Sequence, residues 1–100
     1  MSAGVVLWSA AMGLFSCGLC ALVLRRQLVA MLLGLELMAT STIIPLVFHA
    51  SLRGDPAGLS AALLILAVAA AEAVVGLSLI LAQSRSGLPP ETSALTELRG

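Results

Sequence analysis

The chain has 100 residues, of which 60% are apolar and only 10% are charged, and its formal net charge is zero. Soluble domains carry about 25% charged and about 45–50% apolar residues, and a globule of this length has too little interior for such an excess. The composition therefore argues against a soluble domain, and the lack of net positive charge argues against a nucleic-acid-binding protein.

Three long apolar runs follow one another along the chain, at about residues 5–24, 28–48 and 58–82. Each run reaches the roughly 20 residues that a helix needs to cross a hydrocarbon core about 30 Å thick. Each is too long for a strand, and only helices or closed barrels satisfy all their backbone hydrogen bonds in lipid. We therefore predict an all-α integral membrane protein with three transmembrane helices.

The connections between the runs are short, at residues 25–27 and 49–57. After residue 82 the composition turns polar, with Ser, Gly and two consecutive prolines. We predict one three-helix transmembrane unit over residues 1–82, followed by a polar C-terminal tail over residues 83–100.

The second and third runs each contain one glutamate, Glu36 and Glu72. An acidic group at mid-bilayer costs about 2.5–3.5 kcal/mol even on the mild insertion scales. The residues three and four positions away from each glutamate are all uncharged, so neither glutamate has a partner on its own helix. An ionisable residue inside a membrane is a functional candidate by default, and a structural glutamate hydrogen-bonded to a neighbouring helix is the alternative.

Depth is estimated from the helical rise of about 1.5 Å per residue. Glu36 lies eight residues into its run and Glu72 lies ten residues before the end of its run, which corresponds to about 12 Å and about 15 Å from the same side of the membrane. Because these runs are antiparallel, both carboxyl groups should lie at similar depth. Desolvation favours the protonated form of a carboxyl group, which suits such a pair to pass protons laterally.

Arginines mark the orientation. Arg25 and Arg26 lie in the first connection and Arg85 and Arg99 in the tail, whereas the second connection contains only Arg53. Positive charge stays on the cytoplasmic side. We predict that the N-terminus faces out and that the first connection and the C-terminus face the cytoplasm. Arg25 and Arg26 then act as topology anchors, or contact a neighbouring subunit or lipid head group.

Several segments resemble one known family. Leu24-Arg25-Arg26, Gly34-Leu35-Glu36-Leu37-Met38 and Ala69-Ala70-Ala71-Glu72-Ala73 are similar to segments of the K subunit of proton-pumping NADH:quinone oxidoreductase, bacterial respiratory complex I. The mitochondrial equivalent is subunit 4L. The chain has Gln27 and Thr40 where the family usually has Asn.

The resemblance implies a membrane-arm subunit of a proton-translocating NADH (or related donor):quinone oxidoreductase in the bacterial inner membrane. Glu36 and Glu72 would belong to a relay of charged residues along the midplane. The chain would be a non-redox subunit without a complete active site or cofactor of its own. Quinone, flavin and iron–sulfur clusters would bind in other subunits, and the partners would be the quinone-site subunit and the antiporter-like subunits.

Three other functions remain open. A stand-alone small proton-coupled exporter usually has many aromatic residues for stacking on cations, whereas this chain has one Trp and no Tyr. A multisubunit sodium/proton antiporter contains a related small protein, its C subunit, which typically lacks a glutamate equivalent to Glu72. A purely structural assembly subunit is the third alternative. His49, at the outer end of the second run, is expected to be an interfacial bystander, with a role in a proton path as the alternative.

The orientation can be tested by cysteine labelling after Cys17 and Cys20 have been replaced by Ala. A membrane-impermeant thiol reagent should modify Ser51→Cys, close to the second connection, in intact cells. The same reagent should modify Ser84→Cys, close to Arg85, only after permeabilisation. The opposite pattern would contradict the orientation deduced from the arginines.

Overall fold

The computed structural model describes residues 2–87, 89 and 91–93. Three helices follow in order, namely α1 (Ala3–Leu24), α2 (Leu28–Arg53) and α3 (Pro56–Arg85). All three are long and apolar enough to cross a membrane. The predicted all-α fold with three spanning helices is therefore confirmed. Most of the last ten tail residues, including Arg99, lie outside the described part of the chain.

The second connection is shorter than predicted, since it consists of Gly54 and Asp55 instead of residues 49–57. Gly54 ends α2 in the left-handed conformation, at φ 61°, and its N–H donates to carbonyl groups of the last helical turn. Asp55 caps the next helix, because its Oδ1 accepts a hydrogen bond of 3.0 Å from the Ala57 N–H. Pro56, which lacks an N–H, occupies the first helical position. These local signals extend both helices toward the turn.

The chain turns back after α3 toward the connection between α1 and α2. The Thr92 N–H donates to the Arg26 carbonyl at 3.1 Å, and Gln27 pairs with Glu91 in an isolated antiparallel bridge. The Gln83 side-chain amide donates to the Pro89 carbonyl at 2.6 Å. The start of the tail and the first connection therefore lie together at one end of the molecule.

The central helix α2 packs on both α1 and α3, which share at most a marginal contact with each other. Its backbone meets that of α1 at two glycines. A Cβ atom added to Gly18 would lie 2.5 Å from the Gly34 carbonyl oxygen, and one added to Gly34 would lie 2.6 Å from the Gly18 carbonyl oxygen. The two backbones are thus in direct contact, which only glycine permits at this separation.

The most buried positions of the helix contacts are occupied by small residues. Most of the long aliphatic side chains of α3 are exposed. In lipid the hydrophobic effect does not favour burying these side chains between the helices. Helix association therefore depends on close packing of small residues. The buried residues of the three helices are Ala11, Gly18, Gly34, Ser41, Ala50, Ala62 and Ala69.

A pair of glycine substitutions tests this packing. Gly34→Ala should weaken the α1–α2 contact by about 1–3 kcal/mol, because the added methyl group overpacks a backbone contact. Gly13→Ala is the matched control, since a Cβ atom there meets nothing within 4 Å, and its better helix propensity should stabilise α1 by up to about 1 kcal/mol. Unfolding in mixed micelles followed by circular dichroism measures both; equal effects would contradict the close backbone contact.

Candidate functional site

The register between α2 and α3 follows from two close contacts. A Cβ atom added to Gly76 would lie 2.8 Å from Leu32 Cδ1, and one added to Gly58 would lie 2.7 Å from the Ala50 Cβ. Ala50 comes 18 residues after Leu32, and Gly58 comes 18 residues before Gly76. The two antiparallel helices therefore keep a single register over their common length.

This register brings the two membrane glutamates together. Glu36 comes four residues after Leu32, and Glu72 comes four residues before Gly76, so they lie at the same level of the helix pair. Both line one groove of about 610 Å³ between α2 and α3. The remaining lining of that groove is apolar, formed by Leu32, Leu35, Val68, Ala71, Val75 and Gly76.

The three-helix unit does not by itself enclose the two glutamates. Glu36 is half-buried and Glu72 is exposed. Glu72 also lines a second groove of about 270 Å³, together with Ala39, Leu64 and Ile65. The burial expected from sequence therefore has to come from lipid or from neighbouring helices that cover these grooves.

The described arginines lie away from the two glutamates. Arg25 and Arg26 occupy the exposed, extended connection between α1 and α2, whereas Arg53 and Arg85 lie in the last turns of their helices. Within residues 2–87, 89 and 91–93, no cation stands at the middle of a helix. The described residues therefore place no positive charge beside the two glutamates.

The groove continues toward the end of the molecule that holds Arg25 and Arg26. A second stretch of about 610 Å³ shares Leu32, Leu35 and Gly76 with the glutamate groove, and it reaches Gln83 and Ser86 at the end of α3. The intervening lining consists of Leu, Met, Ile and Ala side chains. An ordered water molecule needs two or more polar partners, which this lining does not provide between the glutamates and Gln83. The groove therefore offers the glutamates no polar path of its own toward that end.

Two hydroxyl groups of α2 and α3 donate hydrogen bonds to backbone carbonyls of their own helices. The Thr40 hydroxyl donates to the Glu36 backbone carbonyl at 2.8 Å, and the Ser78 hydroxyl donates to the Val74 carbonyl at 2.7 Å. Such bonds satisfy hydroxyl groups in an apolar medium. Thr40, which stands where the related family usually has Asn, therefore contacts the backbone of Glu36.

One polar contact is not anticipated from the sequence. The Trp8 Nε1–H donates to His49 Nε2 at 3.0 Å, which joins α1 to α2 at the end opposite the arginine-rich connection. His49 therefore has a defined partner, unlike the interfacial bystander that the sequence favours. The sequence does indicate that Trp8 and His49 lie near the same end of two antiparallel runs. It does not indicate whether their side chains meet, because that depends on how the helices cross.

The cysteines of α1 remain free thiols. Cys17 and Cys20 are both exposed on the helix surface. Within the described residues, no three His, Cys, Asp or Glu side chains gather into a set that could hold a metal ion.

The fold and the groove define a three-helix membrane protein in which two carboxyl groups share one apolar groove halfway along a helix pair. The profile of the family described as NADH-ubiquinone/plastoquinone oxidoreductase chain 4L matches residues 6–100, and the chain belongs to this family. It is a 4L/K-type subunit of the membrane arm of a quinone oxidoreductase, complex I, and associates there with other subunits. It is thus a multi-pass membrane protein, and the resemblance seen in the sequence is confirmed.

The unequal exposure of the glutamates can be tested with a lipid-soluble carbodiimide, which reacts with protonated carboxyl groups. In the full chain reconstituted in lipid nanodiscs, Glu72 should be modified faster than Glu36, because Glu72 is exposed and Glu36 is half-buried. Mass spectrometry of the peptides gives both rates. Glu72→Gln should abolish the fast modification. Faster reaction at Glu36 would contradict the arrangement of the groove.

Proposed function

We propose that Glu36 and Glu72 form one step of a proton relay in a proton-translocating NADH (or related donor):quinone oxidoreductase. The observation that supports this most directly is the register of α2 and α3, which sets the two carboxyl groups at one level on one groove. Two acids brought together from separate helices at mid-bilayer are difficult to explain as packing, because each costs about 2.5–3.5 kcal/mol there.

The apolar lining supplies the physical basis of the relay. Around Glu36 and Glu72 the groove is lined by apolar side chains, so a nearby positive charge would act on the two carboxyl groups with little competition. Since the described part of the chain brings no cation to the groove, a neighbouring subunit would supply that charge. Moving a cation toward or away from the groove would then release or take up a proton.

The direction of transfer within this subunit is lateral. The two carboxyl groups face the same groove, while the path toward the arginine-rich end is lined by apolar side chains. Water or a polar side chain of a neighbour would complete the transfer between Glu36 and Glu72.

Partner subunits cover the groove in this proposal. The quinone-site subunit and the antiporter-like subunits would flank the three helices, and the electron-transfer groups, namely quinone, flavin and iron–sulfur clusters, would all lie in other subunits. This chain would act as a non-redox subunit. Arg25, Arg26 and the start of the tail, at Glu91 and Thr92, lie at one end of the molecule, which supports an orientation with that end in the cytoplasm of a bacterial inner membrane and the N-terminus outside.

The relay is tested with glutamine variants in the assembled complex. Glutamine keeps the size and hydrogen bonding of glutamate but carries no exchangeable acid proton. Glu36→Gln should lower quinone-dependent proton uptake into vesicles by about 10²-fold, the lower range for loss of a positioned proton-transfer group. Glu72→Gln should have a smaller effect, since Glu36 is hemmed in by bulky side chains whereas Glu72 is exposed and leaves room for water.

Glu91→Gln is the matched control, because it makes the same chemical change outside the three helices. It should pump like the parent. Blue-native electrophoresis checks that all variants assemble. If both membrane variants assemble and pump like the parent, the carboxyl groups are structural and the relay is wrong. If only Glu72→Gln fails, the relay survives but the ranking of the two glutamates does not.

A further inference from the structure

The outer ends of α1 and α2 are joined by an aromatic contact. Trp8 donates its indole N–H to His49 Nε2 at 3.0 Å, and the two ring centroids lie 5.9 Å apart with the planes tilted by 53°. Phe48 packs edge-on against the same imidazole, at a centroid distance of 5.3 Å. His49 thus lies between an aromatic neighbour on its own helix and a hydrogen-bond donor on the other.

We propose that the Trp8–His49 pair is an acid-sensitive latch between α1 and α2. The indole nitrogen can only donate a hydrogen bond, so the bond requires a lone pair on His49 Nε2. The latched form therefore has neutral imidazole with its hydrogen on Nδ1. When Nε2 takes a proton from hydronium, which is left as water, two N–H groups face each other and the bond is lost. Imidazole side chains undergo this change between about pH 5 and 8.

Few ionisable residues lie on the helices around the His49 imidazole. Helix α1 carries no Asp, Glu, Lys, Arg or His, and residues 56–71 of α3 carry none either. The charged residues nearest to His49 along the chain are Arg53, one turn farther on α2, and Asp55, whose Oδ1 is engaged by the cap of α3. Among the described residues, Trp8 is the hydrogen-bond partner of the imidazole.

Opening the latch would free only one end of α1. The backbone contact at Gly18 and Gly34 lies ten residues farther along α1 than Trp8, which corresponds to about 15 Å. That contact contains no titratable group, so it would stay closed. On the proposed orientation, the latch faces the compartment into which protons are released. The latch itself rests on the Trp8–His49 geometry alone and does not depend on the relay.

The full chain, labelled with ¹⁵N and reconstituted in lipid nanodiscs, provides the test. The chain has one Trp and one His, so each ring contributes a single set of NMR signals. At about pH 8, Nε2 should be the unprotonated ring nitrogen, and the indole N–H should be shifted downfield by its hydrogen bond. Between about pH 8 and pH 5, the imidazole and indole signals should move with one common midpoint.

His49→Gln is the control, because the glutamine carbonyl can accept the indole N–H but does not titrate. Its indole signal should stay constant over the same range. The proposal is overturned if Nδ1 is the unprotonated nitrogen of neutral His49, or if the indole signal stays fixed while the imidazole titrates.

Hydrogen–deuterium exchange of the intact complex gives a second readout. After correction for the chemical effect of pH on exchange, peptides covering residues 3–12 should lose protection at about pH 5.5 relative to about pH 8, and His49→Gln should abolish that difference. An equal loss of protection in the parent and in the variant would also overturn the latch.

Discussion

The small residues of α2 are the constraint on which the rest of the structure depends. Gly34 lets the backbone of α1 come into contact, and Ala50 lies directly against Gly58 of α3. Because α1 and α3 scarcely touch, α2 alone fixes the position of both. A shift of one residue along the α2–α3 register would rotate Glu36 by about 100° relative to the facing helix, since 3.6 residues complete a turn. The shared groove would then hold one carboxyl group instead of two.

The same packing explains why so much of the surface is apolar. In water the exposed Leu and Val side chains would be driven inward, whereas in lipid they are already in an apolar medium and only close packing selects the interior. The chain uses its small residues for its own contacts. It leaves Glu36 and Glu72 on a groove that it does not cover. The helix contacts are therefore made within the chain, whereas the groove that the two glutamates line stays open.

Much of this arrangement could be predicted from the sequence. Run length and hydropathy predict the three helices, and the positions of Glu36 and Glu72 in antiparallel runs predict carboxyl groups at similar depth. The predicted length of the second connection was wrong, because the caps at Gly54 and Asp55 extend both helices beyond the limits of their apolar runs. The Trp8–His49 bond and the pairing of Gln27 with Glu91 depend on helix crossing and chain reversal, about which periodicity says nothing.

The chain reversal after α3 has a mechanical consequence. At one end α3 is joined to α2 by a two-residue turn, and at the other end its tail pairs with the backbone of Arg26 and Gln27. A rod pinned at both ends can neither slide nor turn freely about its axis. The α2–α3 pair is therefore held at both ends, which keeps Glu36 and Glu72 at one level of their shared groove.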